Sequence, residues 1–391
     1  MKRKVLVLAS SYPNRVSDSN GFFIHDLAKS YSKEFDVYVL TPKHANSLKH
    51  EVMEGVKVYR FSYWFGDKLF SDGEIMSNLK LHKSYYWQVI PFFVCQFIAV
   101  YKLIAKHQIS IVHANWIIPS GIVAVLFKKL INGKVKIIVS LLGADIWSFN
   151  SGIRKRLLQF IFNNVNYVTT QSNPLRDEAI KIGYKGQIET LPLSIDTNLY
   201  KPNLKERKYN PQYPRMLFVA TLSERKGIML LIRSLKEVKN TNPEFFIDIV
   251  GDGPLRRQAE EEIELLGLGQ NVTIHGFQPP EQLPEFFNNT DIFILPSLSE
   301  GFPLVVLSSL SCGVCTIVSD LPVFRELNAL DTSLLILFET DNQTSLSSSI
   351  NNTIKNLEGI NKNKQNRRNF IVNNYDKNDI AKRYSAIVNN L

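Results

Sequence analysis

A chain of 391 residues exceeds the usual reach of one hydrophobic core, so two domains are the default. Hydrophobic residues make up 45%, which excludes a disordered chain, and three cysteines exclude a disulfide framework and fit a reducing cytoplasm. The net charge of +10 is uneven: residues 1–190 carry 25 Lys/Arg against 13 Asp/Glu, while residues 191–391 carry 21 against 23. A basic half can meet an anionic membrane or a phosphorylated acceptor, or can be a solvated face. Without helix-turn-helix or zinc-finger spacing or an arginine-rich tail, nucleic acid is not expected.

In chain order, Met1-Lys-Arg-Lys before Val5–Leu8 mimics a secretory leader, but Ser10-Ser-Tyr-Pro cuts the apolar run short, and a buried first strand is expected. Further short apolar runs at Val37–Leu40, Ile109–His113, Lys136–Leu141 and Tyr167–Thr170 read as strands separated by helical stretches. Residues 85–105 approach the length of a membrane span, yet Gln88, Pro91, Gln96 and Lys102 interrupt them, so a packed or interfacial helix is expected. Residues 193–214 carry three X-Pro pairs among polar residues and read as an exposed linker.

The rhythm resumes with Met216–Ala220, Phe246–Val250, Val272–Ile274, Ile292–Leu295 and Thr316–Val318. Strands alternating with helices argue for parallel sheets covered on both faces, and two such series argue for two doubly wound domains. Residues 1–192 form the first, 215–375 the second, and the segment 376–391, with Ile380, Tyr384 and Ile387 on one helical side, is expected to pack back on the first. Cys312 and Cys315 form a C-x-x-C at a helix end, without further ligands nearby, and read as small buried side chains.

The most informative stretch is PSLSEGFPLVVLSSLSCGVCTIVSDLPVFRE, residues 296–326. Pro296 ends a buried strand, and a helix opens near Leu304, whose first amides lack intrahelical partners and suit an anionic phosphate. Glu300 stands just before that start, where a carboxylate can accept from sugar hydroxyls. Gly301 and Pro303, flanking Phe302, let the backbone approach a ligand. Open parallel sheets bind ligands at the carboxyl ends of their strands, and Asn20-Gly21, Asp145, Lys226, Gly251-Asp252-Gly253 and Glu300 all follow strand ends.

The PS..EGFP turn resembles the donor-binding motif of the retaining family-4 glycosyltransferases, in which a second glutamate follows the first after seven residues. Here Glu300 is kept, and Ser308 stands in the second place. KVLVLASSYPN with NGFFIHDLAKS, IVHANWIIPSG, IIVSLLGADIW, LPLSIDTNLYKP, LFVATLSERKGIMLLIRSL, FIDIVGDGPLR and NVTIHGF resemble the family's other segments in order. Leu142 replaces a histidine that is usual there, and Thr221 a frequent arginine. The resemblance implies a GT-B architecture, two doubly wound Rossmann-like domains facing a central cleft, with the donor on the second domain.

It further implies retaining, metal-independent transfer of a sugar from a nucleotide-diphosphate donor to a glycan or lipid-linked acceptor, in cell-surface polysaccharide assembly on the cytoplasmic side of a membrane. No D-x-D pair occurs in the sequence, and neither metal nor cofactor is expected. Lys226 is the expected cation for the leaving diphosphate and Glu300 the expected orienter of the donor sugar. Gly251-Asp252-Gly253, His275 and Phe277 resemble the donor-nucleotide loops, Ser308 is expected near the ribose, and His113, Asn115, Trp116 and Asp145 are expected on the acceptor side. The bland readings are a solvated lysine at a turn, a helix-start carboxylate and a satisfied core histidine. A second reading stays open: a transferase-like binding subunit, altered at Leu142, Thr221 and Ser308. A nucleotide-sugar epimerase of the same architecture fits EGFP and SERKG less well.

Overall fold

Alternating residues of the first strand, β1 (Lys4–Leu8), enter two different cores: Val5 and Val7 pack on one side of the sheet, Leu6 and Leu8 on the other. A strand buried on both faces is the signature of a parallel sheet wrapped by helices. In the computed structural model the described residues are 2–14, 21–44, 47–64, 83–131, 133–143, 146, 152–203, 210, 212–301 and 304–391. They divide into two units, Met1–Leu193 with Asn378–Leu391, and Ser194–Lys377.

The first unit continues with β2 (Asp36–Pro42), β3 (His50–Met53), β4 (Val56–Phe61), β5 (Ile111–Asn115), β6 (Lys136–Leu141), β7 (Tyr167–Thr170) and β8 (Gln187–Thr190). Their order across the sheet is β3-β4-β2-β1-β5-β6-β7-β8, parallel except for β3 against β4. That antiparallel pair is joined by Glu54-Gly55, both at positive φ (45° and 86°), as a two-residue hairpin turn requires. Helix α1 (Phe22–Ser32) follows β1, and α2 (Tyr86–His107) and α3 (Ile122–Leu130) flank β5. The last helix, α4 (Lys377–Asn389), returns to the first unit, where Ile380, Tyr384, Ile387 and Val388 are buried with Val5, Val7 and Tyr31.

The second unit has β9 (Arg215–Val219), β10 (Phe246–Val250), β11 (Val272–Gly276), β12 (Ile292–Leu295), β13 (Cys315–Ser319) and β14 (Ile336–Phe338). They form an all-parallel sheet in the order β11-β10-β9-β12-β13-β14. The chain proceeds one way from β9 to β11, then restarts on the other side of β9. The topological switch point lies between β9 and β12, where such sheets open a ligand crevice at their carboxyl ends.

The segment 193–214, expected as exposed linker, is partly so: Asn198, Leu199, Lys201, Asn203, Asn210, Gln212 and Tyr213 are exposed. Ile195, Thr197 and Tyr200 are buried, Ile195 forms a bridge with Asp376, and Thr197 donates to the Asp376 carboxylate. Cys312 and Cys315 are buried free thiols in the same core, each pushed up to about 12 by burial.

Candidate functional site

Two loops leave the switch point side by side. After β9 the chain runs through Ala220 to Ser223, makes one tight turn at Glu224–Lys226 and enters the helix Ile228–Thr241. After β12 it runs from Pro296 to Gly301 and enters the helix Leu304–Ser311; Phe302 and Pro303 lie outside the described residues. The loops press together at Gly227, whose φ is +72° and where an added Cβ would stand 1.9 Å from the Pro296 carbonyl oxygen, so only glycine fits. The Leu298 amide donates to the Arg225 carbonyl at 2.8 Å, and Arg225 Nη1 donates to the Ser299 carbonyl at 3.2 Å.

This contact brings Lys226 and Glu300 together. Lys226 Nζ donates to Glu300 Oε1 at 2.5 Å, and the buried Ser297 hydroxyl donates to the same oxygen at 2.6 Å. Arg225 Nη1 stands 3.7 Å from Glu300 Oε2. The Glu300 side chain is 5% exposed and that of Lys226 15%, so the pair is shielded from water and held in one geometry from three sides. Lys226 keeps further N–H donors for a ligand anion, and Oε2 keeps accepting capacity for hydroxyls. The helix opening at Leu304 adds free amides and the positive end of its dipole.

The loop after β10 is zipped to the loop after β9. The Leu222 amide donates to the Asp252 carbonyl and the Leu255 amide to the Leu222 carbonyl, each at 3.0 Å. At Gly251 a Cβ would meet the Ala220 carbonyl oxygen at 1.9 Å, and at Gly253 the Leu222 carbonyl oxygen at 2.5 Å. The Gly253 amide, with the Arg256 guanidinium, holds the Asp252 carboxyl below its usual range. Gly251, Asp252 and Gly253 therefore line the same sheet edge as Lys226 and Glu300. Phe277, exposed just past β11, lies at this edge too.

Other expected residues take different places. His275 turns along the sheet, bonding Asp248 Oδ1 at 2.6 Å and meeting the Phe286 ring edge-on at 5.0 Å. Ser308 is buried and donates to the Leu304 carbonyl at 3.1 Å. Its hydroxyl proton is used within its own helix, which leaves the oxygen as an acceptor, and the expected ribose contact is left to a binding measurement. His113 is fully buried between Tyr31, at 3.1 Å from Nδ1, and Ser140, at 2.7 Å from Nε2; burial pushes it down to about 3. Its acceptor-side expectation gives way to a core role, because both ring nitrogens are engaged and Tyr384 closes over the ring.

Asn115 is buried and donates to the Leu8 carbonyl at 3.3 Å. Trp116 follows at φ +65°, its ring edge-on to Phe23. Gly21, at φ +71°, caps α1 against Ser11 and Tyr12. Asn20 and Asp145 lie outside the described residues. Among the described residues no three His, Cys, Asp or Glu side chains cluster as metal ligands. Ser297 and Arg225, which hold the carboxylate in place, went unread in the sequence; the S-x-x-E spacing and the Arg-Lys pair were the available signals.

Two Rossmann-like units with parallel sheets, and a ligand crevice of this form in the second, define a GT-B protein. Solved structures agree over the full length. Sucrose-phosphate synthase from Thermosynechococcus elongatus is similar with a TM-score of 0.76 at 16% identity, covering 100% of this chain and 99% of that one. HepE from Anabaena, in complex with UDP and glucose, is similar with a TM-score of 0.71 at 16% identity, covering 100% of both chains.

Residues 21–199 match the model described as Glycosyltransferase Family 4, and residues 201–377 match that of Glycosyl transferases group 1. The chain belongs to family 4 of the retaining glycosyltransferases. It is 28% identical over 228 residues to the GDP-mannose-dependent alpha-(1-6)-phosphatidylinositol monomannoside mannosyltransferase of Mycolicibacterium smegmatis, covering 54% of this chain and 59% of that protein. It is 24% identical over 355 residues to TuaC of Bacillus subtilis, a glycosyltransferase provisionally named for teichuronic acid biosynthesis, covering 85% of each.

Proposed function

We propose that the protein moves a hexose from a nucleotide-diphosphate donor to a glycan or lipid-linked acceptor with retention at the anomeric carbon, in cell-surface polysaccharide or glycolipid synthesis at the cytoplasmic side of a membrane. The observation that carries this reading is the Lys226–Glu300 pair at the switch point between β9 and β12. Breaking an anomeric bond to a diphosphate leaves charge on the leaving group. A shielded cation meets that charge better than a solvated one, because little reorganisation is needed as it develops. Lys226 supplies the cation and the amides at Leu304 a second anion contact, while Glu300, fixed by Ser297, accepts from the sugar hydroxyls. Front-face transfer, with a donor phosphate oxygen taking the acceptor proton, needs no protein nucleophile.

The two relatives are named for a phosphatidylinositol mannoside and for teichuronic acid, which supports an envelope setting. HepE binds UDP-glucose and the mycobacterial relative is named for GDP-mannose, so the donor panel must span both bases. Calorimetric titration with UDP- and GDP-hexoses, followed by assay of nucleoside diphosphate release with membrane and glycan extracts as acceptors, tests the proposal. Saturable binding with acceptor-dependent release supports it. Binding without release under any acceptor favours the binding-subunit reading, to which Leu142, Thr221 and Ser308 lend weight.

A further inference from the structure

Helix α2 is built inside out. Its polar Gln88 and Gln96 point inward, at 6% and 0% exposure, while Trp87 and Ile90 stand 81% and 73% exposed. Val94, Ile98 and Tyr101 continue that exposed line at steps of three and four residues, which places them on one face. The 22 residues are long and apolar enough to cross a membrane. Yet Phe92, Val100, Leu103 and Ile104 are committed to the core of the first unit, so the helix lies along the sheet and offers its outer face only.

Charge says what covers that face. No Asp or Glu occurs between residues 86 and 107, and Lys102 and Lys106 are exposed near the helix's C-terminal end. Helices α2 and α3 each lead into one of the adjacent parallel strands β5 and β6, so their C-terminal ends lie at the same edge of the sheet. There α3 adds exposed Lys129, followed by exposed Leu130 and Ile131. Tyr86 and Trp87 mark the other end of the stripe with aromatic rings of the kind that settle at headgroup depth.

We infer that the outer face of helix Tyr86–His107, with the Lys129–Ile131 corner, is a docking surface for an anionic lipid bilayer, its apolar stripe entering the headgroup boundary and its lysines meeting lipid phosphates. A protein partner would need acidic groups matched to these lysines, and a second copy of this chain presents the same basic face against itself. The inference does not depend on the transferase reading, because lipid binding is measured without donor or acceptor.

The test is sedimentation of the full chain with vesicles of phosphatidylcholine alone or mixed with phosphatidylglycerol, at low and physiological salt. Binding should favour the anionic vesicles, and salt should weaken it as exposed charges are screened over about 8 Å. Ile90→Asn with Ile98→Asn should weaken partitioning by about ten-fold with an unchanged circular dichroism spectrum and thermal midpoint. Lys102→Gln with Lys106→Gln should remove most of the preference for anionic over neutral vesicles. The proposal is overturned if the wild-type chain ignores both vesicle types, if the isoleucine variant binds as the wild type does, or if light scattering shows a dimer that this variant dissolves.

Discussion

Replacing Lys226 by Met probes the central pair, because the methylene stem is kept and the charge removed. Glu300, 5% exposed, would then lose its principal cation. Stripping one partner from a fully buried pair costs about 3–5 kcal/mol. Here Ser297 still donates at 2.6 Å and the half-exposed Arg225 still stands at 3.7 Å, so the loss approaches that of one charged hydrogen bond, about 2 kcal/mol. For a unit of this size that is a fall of about 4–8 °C in the unfolding midpoint of the second unit. The double variant Lys226→Met, Glu300→Gln removes the stranded charge and should recover most of that loss, a coupling of about 1–2 kcal/mol in a double-mutant cycle. Transfer should not recover with stability, because the diphosphate still lacks its cation. A Lys226→Met midpoint unchanged from wild type, or effects that merely add, would refute the geometry argued for this pair.

Gly227→Ala should lower stability by about 3–4 kcal/mol in urea unfolding, since positive φ and a 1.9 Å approach to the Pro296 oxygen leave no room for a methyl group; a loss under about 1 kcal/mol would contradict the close packing of the two loops. Ser308→Ala should change nucleoside diphosphate affinity by less than about two-fold in calorimetry, as its hydroxyl serves the Leu304 carbonyl; a loss beyond about five-fold would return Ser308 to the ribose. His113, held neutral by burial, makes the first unit less stable as pH falls from about 6.5 toward about 3, because the unfolded chain takes up a proton the folded one refuses. His113→Gln should remove about one proton from that acid dependence, and an identical pH slope in wild type and variant would overturn the assignment.

Much of this was legible locally. The runs Phe246–Val250 and Ile292–Leu295 read as strands because they are short and predominantly apolar, and they are strands in those places. The β3–β4 hairpin went unread, since its turn is Glu54-Gly55 rather than an Asn or Asp pair, and the strand ending in His113 begins and ends two residues later than its apolar run suggested. Lys226 and Glu300 were found from motif context, each following a strand. That Ser297 and Arg225 secure the carboxylate depends on β9 and β12 being neighbours, which no local pattern encodes. The burial of His113 was missed for the same reason: Tyr31 and Tyr384, which enclose it, come from distant parts of the chain.

The most direct test of the central claim is acceptor-dependent transfer of a labelled hexose from a UDP- or GDP-linked donor by wild type and by Glu300→Gln, with the anomeric configuration of the product read by NMR. The account predicts transfer with the donor's α configuration retained, and a rate lowered by about 10²–10³ in a Glu300→Gln protein of unchanged fold. Inversion of the anomeric centre, or equal rates in the two proteins, would contradict it.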